Sequence, residues 1–208
     1  MIGIDKKQYW DNVYQEKQTH EVSWYQKTPS TSLDIINKLD LPKTAKIIDI
    51  GGGESYLVDH LLEQGFTDIT VLDISETAIL RTQKRLGAKA QNVKWIIADI
   101  AEFEPTEKYD LWHDRATFHF LLEEDEINHY LNSIRKGLTE DGNLVIGTFT
   151  EEGPRMCSGV IVKQYTEESL TNLVHDSFQK LECKIVNHKT PFYTIQNFVF
   201  CSFRMKAS

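Results

Sequence analysis

From position 46 onward, short apolar runs alternate with amphipathic stretches. Lys46–Ile50 is a β-branched run that stops at three glycines. Ser55–Gln64 then sets Leu57, Val58, Leu61 and Leu62 at helical spacing, and Gly65 ends it. Ile69–Asp73 reads as a second strand, and Ser75 caps a second helix carrying Ile79 and Leu80. Val93–Ala98, Tyr109–Trp112 and Asn143–Phe149 read as the third, fourth and fifth strands. A helix over 123–138 presents Ile127, Tyr130, Leu131 and Ile134 on one face, and another runs over 166–175. Two late strands, Leu181–Asn187 and Gln196–Arg204, close the pattern. Strand and helix alternating in this way predict a parallel α/β sheet, doubly wound, with helices on both faces and right-handed crossovers. The last two strands are joined by a short link with Pro191, so they should pair antiparallel. The first forty residues read as helical and partly aromatic, with Tyr9, Trp10, Tyr14, Trp24 and Tyr25. The expectation is one domain over 1–208: a cap or lid segment over 1–44 and a core over 45–208.

Composition narrows the class of protein. The chain has 208 residues, 40% of them hydrophobic, which is ordinary for a soluble domain able to bury a core without staples. It has no apolar run long enough to span a membrane and no apolar stretch of signal-peptide length near Met1. A net charge of −8 disfavours nucleic acid as a partner, because phosphate neutralisation needs clustered Lys and Arg. Cys157, Cys183 and Cys201 are odd in number and lack CxxC spacing. That argues against a disulfide framework or a thiolate metal site and fits a reducing cytosol, so a cytoplasmic location is expected.

The candidate chemistry sits at strand ends. Asp49-Ile50-Gly51-Gly52-Gly53 closes the first strand, where glycines allow positive φ and close approach of a ligand to the backbone. A dinucleotide fingerprint would need glycine at position 56, where Tyr56 stands, so pyrophosphate binding is disfavoured. Asp73 ends the second strand and Asp99 the third. A carboxylate at Asp73 can accept both hydroxyls of a ribose, and Asp99 or its neighbouring amide can meet an adenine edge. Either acid could instead cap a helix. Three acids ending three successive strands, with glycines after the first, place all of this on the ligand-binding edge of an open α/β sheet.

These residues, Asp49-Ile50-Gly51-Gly52-Gly53, Asp73 and Ala98-Asp99, resemble the motifs of class I S-adenosylmethionine-dependent methyltransferases. The resemblance implies a Rossmann-like seven-stranded sheet with an antiparallel last strand, and S-adenosylmethionine as cofactor. It implies that Asp49 and the Gly51, Gly52 and Gly53 backbone hold the methionine part, that Asp73 holds the ribose, that Asp99 with Ile100 holds adenine, and that Ile74 is among the cofactor contacts. Trp24 and His113 join the implied cofactor contacts. The family's usual third glycine of the loop is Ser55 here, a small residue in its place. Tyr9-Trp10-Asp11 and Ser23-Trp24-Tyr25 resemble the entry segment of a subset that includes small lysine methyltransferases of elongation factors. Trp10 and Trp24 read either as an aromatic lid able to hold a cation or as core anchors of the cap.

Methyl transfer from a sulfonium needs alignment above all and, for some acceptors, a base. His113, Asp114 and His119 in the segment after the fourth strand are the catalytic candidates; Arg115–Asp114 could equally brace the loop, and His119 between Phe118 and Phe120 could be a packed histidine. Trp10, Arg115 and Arg155 are the substrate-contact candidates. No metal site is expected. The reading is a methyltransferase acting on a small molecule or a protein side-chain amine. The alternatives are a nicotinamide-dependent oxidoreductase and a non-catalytic module that binds the same cofactor.

Overall fold

A computed structural model describes residues 5–207. The helices are α1 (Lys6–Glu16), α2 (Ser30–Lys38), α3 (Leu57–Glu63), α4 (Glu76–Leu86), α5 (Glu124–Gly137) and α6 (Glu167–Val174). The strands are β1 (Lys46–Ile50), β2 (Asp68–Asp73), β3 (Val93–Ile97), β4 (Tyr109–Arg115), β5 (Leu138–Phe149), β6 (Met156–Cys157), β7 (Val160–Ile161), β8 (Phe178–Lys189) and β9 (Ile195–Met205). Seven strands form one sheet in the order β3-β2-β1-β4-β5-β9-β8. The first five are parallel, β9 runs antiparallel to β5, and β8 is antiparallel to β9. The antiparallel end follows from the short link between β8 and β9, which has no room for a crossover helix.

Both faces of the sheet are covered, which is why its strands are almost continuously apolar. One face packs Ile48, Trp112, Leu144 and Ile146 against Ile127, Tyr130 and Ile134 of α5 and Leu170 of α6. The other packs Ile47, Val71, Leu111 and Val145 against Leu33 and Ile36 of α2, Leu57 and Leu61 of α3, and Ile79 of α4. The expected caps are in place: Ser75 Oγ accepts from Ala78 N–H at 3.2 Å, and Thr166 Oγ1 accepts from Ser169 N–H at 3.0 Å. The N-terminal segment is two helices joined by a 3-10 turn at Thr19–Glu21. Helix α1 lies across the start of α4, where Asp11 Oδ1 accepts from Ser75 Oγ at 2.7 Å and Thr77 N–H at 3.0 Å.

Three expectations change. β4 runs three residues beyond Trp112, so His113, Asp114 and Arg115 lie in the sheet, in register with Asp49, Ile50 and Gly147. A small hairpin, β6–β7, follows β5 and turns at Ser158 and Gly159, both at positive φ. The expectation against disulfides is corrected as well. Cys183 and Cys201 face each other across β8 and β9 with Cα atoms 4.1 Å apart and are joined by a disulfide, leaving Cys157 free and buried. Strand pairing supplies the proximity that an 18-residue sequence separation conceals. Closing a loop of that size is worth about 3 kcal/mol on the chain-entropy account. Reduction is therefore expected to lower unfolding stability by no more than about that amount and to leave the sheet intact. Urea unfolding with and without reductant checks this; loss of the fold on reduction would contradict it.

Candidate functional site

The carboxyl ends of β1 and β4 mark the point where the strand order reverses, the place where open α/β sheets bind ligands. A cleft opens there. Its floor is Gly51 and Thr117, one side is Leu72, Asp73, Ile74, Asp99 and Ile100, and its roof is Trp10 and Tyr14 of α1 with Trp24. Arg115, Phe120 and Cys157 wall the far end. A second chamber continues behind Gly51 and Gly52, bordered by Ser32, Asp49, Glu54, His113 and Arg115.

The glycine turn is shaped by contacts that leave no space for side chains. Gly51 sits at φ +64°, and a Cβ there would overlap Thr117 Oγ1. On Gly52 a Cβ would stand 2.7 Å from Asp49 Oδ2, and on Gly53, at φ +29°, 2.6 Å from Asp73 Oδ2. Gly51 borders both chambers and Gly52 the rear one, so their backbone is what faces a ligand there. Ser55 fits the loop by turning its hydroxyl inward to accept from Leu57 N–H at 3.1 Å. Tyr56 points away from the sheet, its ring under Arg85 and edge-on to Tyr25.

Asp73 is buried beside this turn, and Oδ1 accepts from Ser75 N–H at 2.8 Å. Burial pushes its carboxyl up to about 7, aided by the charges of Asp49 and Asp11 and opposed by the Ser75 and Gly53 amides. Asp99 turns Oδ1 onto Ala101 N–H at 2.9 Å and shares Oδ2 with Lys6 Nζ at 3.3 Å. Lys6 also binds Glu126 at 2.6 Å, so one α1 lysine ties the roof to two acids across the cleft. Lys6 carries no local signal of this role, because its partners lie about ninety and one hundred and twenty positions away.

The histidines do not stand where an acid–base role would need them. His113 is 2% exposed, with Nδ1 2.7 Å from Asp49 Oδ1 and Nε2 2.9 Å from Ser32 Oγ. An Nδ1–H given to Asp49 and a Ser32 hydroxyl given to Nε2 satisfy all three groups. His113 thus holds the Asp49 carboxylate and borders the rear chamber; neither ring nitrogen is free to act as a base. Asp114 is fully buried and is a brace. Its Oδ1 accepts from Thr117 and Phe118 N–H at 3.0 and 3.2 Å, and Oδ2 from Tyr130 OH at 2.6 Å. That brace holds the turn in which Ala116 sits at φ +68°.

Neither His119 nor Arg155 borders either chamber. His119 is fully buried, stacked on Phe149 with ring centroids 4.5 Å apart, and neither ring nitrogen has a partner among the described residues. Burial and the nearby Arg115 charge pull its imidazole down to about 3, so it is a neutral core ring. Arg155 is exposed before β6 and does not border either chamber. Replacing His119 with phenylalanine removes two unsatisfied nitrogens at similar shape, and is expected to leave stability unchanged or raise it by about 1 kcal/mol. Below pH 6.5 the unfolded imidazole takes up a proton that the folded one refuses down to about 3, so stability from this group falls with acid in that window. His119→Phe should flatten that part of the acid limb in a urea titration series.

The aromatic roof packs its rings over the cleft. Trp10 meets Trp24 at 6.0 Å and Phe120 at 5.1 Å between ring centroids, in edge-to-face geometry, and all three rings border the cleft. Tyr9 OH donates to the Ser158 carbonyl at the β6–β7 turn, so α1 and the hairpin close the mouth together. Among the described residues no group of acids, histidines and cysteines could hold a metal ion, and no helix is long and apolar enough to cross a membrane.

Residues 48–144 match the sequence profile of the family described as "Methyltransferase domain". The chain is 27% identical over 139 residues to a Mus musculus protein named eEF1A lysine and N-terminal methyltransferase, covering 66% of this chain and 19% of that one. It is 28% identical over 151 residues to malonyl-[acyl-carrier protein] O-methyltransferase 2 of Ilyobacter polytropus, covering 72% and 56%. The chain therefore spans about a fifth and just over half of these curated relatives. The solved structure of a Burkholderia thailandensis 1,6-didemethyltoxoflavin-N1-methyltransferase, with S-adenosylhomocysteine bound, superposes with a TM-score of 0.70 at 20% identity, covering 97% of this chain and 84% of that one. The stretch from β1 into β5 thus matches a methyltransferase domain by profile, and the seven-stranded order matches the fold of a solved methyltransferase.

Proposed function

We propose that this protein transfers a methyl group from S-adenosylmethionine to a small molecule or a protein side-chain amine. The observation that carries the reading is the placement of Gly51, Asp73 and Asp99 around one cleft roofed by aromatic rings. The residues present fit the cofactor. The bare glycine surface suits an amino-acid tail, the Asp73 carboxylate suits a diol, and Leu72, Ile74, Ile100 and Leu121 give an apolar slot beside Asp99 for a flat base.

When bound, S-adenosylmethionine supplies a methyl group already activated by a positively charged sulfur. Asp73 orients the ribose by accepting its hydroxyls, and Asp49, fixed by His113, faces the glycine turn. Trp10, Trp24 and Phe120 exclude water and wall the approach of the acceptor. Alignment supplies most of the rate in such a site, and no side chain need be consumed. A cytosolic place of action is part of the proposal, and the Cys183–Cys201 disulfide counts against it.

The test is transfer of tritium from methyl-labelled S-adenosylmethionine into a metabolite extract and into a protein extract. Label entering one pool with matching formation of S-adenosylhomocysteine is expected, and its loss in Asp73→Ala. Failure to label either pool, with the cofactor bound, would favour the non-catalytic reading.

A further inference from the structure

The far end of the cleft carries one full charge, and it is positive. Arg115 closes β4 with Nη1 donating to the Trp24 carbonyl at 2.7 Å and its guanidinium carbon 4.9 Å over the Phe198 ring. It forms no ion pair among the described residues, and its Nε is buried without an acceptor. Burial lowers its pKa to about 10, which leaves it charged at neutral pH. A partly buried guanidinium with unused donors is a receptor for a planar anion.

Among the described residues, the same end of the cleft holds no base. His113 spends both ring nitrogens on Asp49 and Ser32, and His119 is sealed behind Phe120. The Cys157 thiol is pushed up to about 11 by burial. Asp73 and Asp99 stand on the opposite side, with Asp99 engaged by Lys6. An ammonium acceptor would need to lose a proton with nothing placed to take it, beside a fixed positive charge.

We propose that the acceptor is the carboxylate of an apolar or aromatic small molecule, held by Arg115 between Trp10, Trp24 and Phe120, and that the product is its methyl ester. The inference rests on the methyltransferase reading and narrows it to an anionic oxygen nucleophile. A carboxylate oxygen lone pair forms the new O–CH3 bond while the methyl–sulfur bond breaks and sulfur keeps the bonding pair. Sulfonium and carboxylate become a neutral thioether and an ester, and no proton moves. A site without a base is sufficient for that step.

Arg115 also borders the rear chamber, so the competing assignment is the cofactor's own carboxylate. Calorimetry separates the two. S-adenosylhomocysteine is titrated first into the wild type, Arg115→Gln and Arg115→Lys. Each saturated protein then receives octanoate and 3-phenylpropionate, with octylamine and 3-phenylpropylamine as matched cations. The wild type should prefer a carboxylate over its amine by at least about tenfold; Arg115→Gln should lose that preference and keep its S-adenosylhomocysteine affinity within about threefold. Arg115→Lys should retain part of the preference, and it stands in if the glutamine variant does not fold. With S-adenosylmethionine, the bound carboxylate should yield one methyl ester per S-adenosylhomocysteine formed. Preference for the amines, binding of neither series, or loss of S-adenosylhomocysteine affinity in the Arg115 variants would overturn the proposal. A wild type that binds no S-adenosylhomocysteine would instead overturn the methyltransferase reading beneath it.

Discussion

Gly51→Val is expected to abolish measurable binding of S-adenosylhomocysteine. Gly51 stands at φ +64°, where a β-branched side chain is strained, and its Cβ would overlap the Thr117 hydroxyl that donates to Ile50 O at 3.3 Å. Relief requires the turn after β1 or the turn after β4 to move, and both form the floor of the cleft. Strain of this kind costs on the order of 1–3 kcal/mol. The seven-stranded sheet, whose core lies in β1, β4 and β5, should survive that loss. Far-UV circular dichroism and calorimetry on one sample make the check. A folded variant that binds as the wild type does would remove the glycine turn from the site.

Much of this site was legible because its signals are local. Each acid stands at or beside the end of a short apolar run, and three glycines follow the first run, so Asp49, Asp73 and Asp99 can be placed on one sheet edge from pattern alone. The caps at Ser75 and Thr166 were legible for the same reason. The His113-Asp114-Arg115 run was misplaced because a polar triplet resembles a loop. In the structure each member is paired or covered across the sheet: His113 by Asp49, Asp114 by Tyr130, Arg115 by Trp24. Those partners come from other elements and leave no periodic trace. The Lys6 bridge and the Cys183–Cys201 bond are hidden likewise. The β6–β7 hairpin had a signal, the Ser158-Gly159 dipeptide between short apolar pairs, which its brevity obscured.

The second large effect concerns Asp73. Asp73→Ala is expected to weaken S-adenosylhomocysteine binding by about 1–3 kcal/mol, roughly 5- to 150-fold, through loss of charge-assisted hydrogen bonds to the ribose. Its pH dependence is a sharper signature. In the free protein the carboxyl holds its proton up to about 7, against 3.8 for an ordinary aspartate. The folded state thus binds more protons than the unfolded one between those values, and this group's contribution to stability falls as pH rises through the window. Ligand hydroxyls need the ionised form as acceptor, so binding expels the proton and affinity falls as pH drops below 7. The wild-type Kd should rise by about tenfold from pH 8 to pH 6, whereas Asp73→Asn should bind weakly and without that slope. A flat wild-type profile would mean that Asp73 does not accept from the ligand.

The most direct test of the account is calorimetric titration of the wild-type protein with S-adenosylhomocysteine, with NADH run beside it. Binding of S-adenosylhomocysteine in the micromolar range and none of NADH is the predicted result, since Tyr56 replaces the third glycine of a pyrophosphate turn while the acids suit a nucleoside. Binding of NADH alone would contradict the cofactor assignment and move the chemistry to hydride transfer. Binding of neither would contradict the claim that the cleft beneath Trp10 and Trp24 is a nucleoside site.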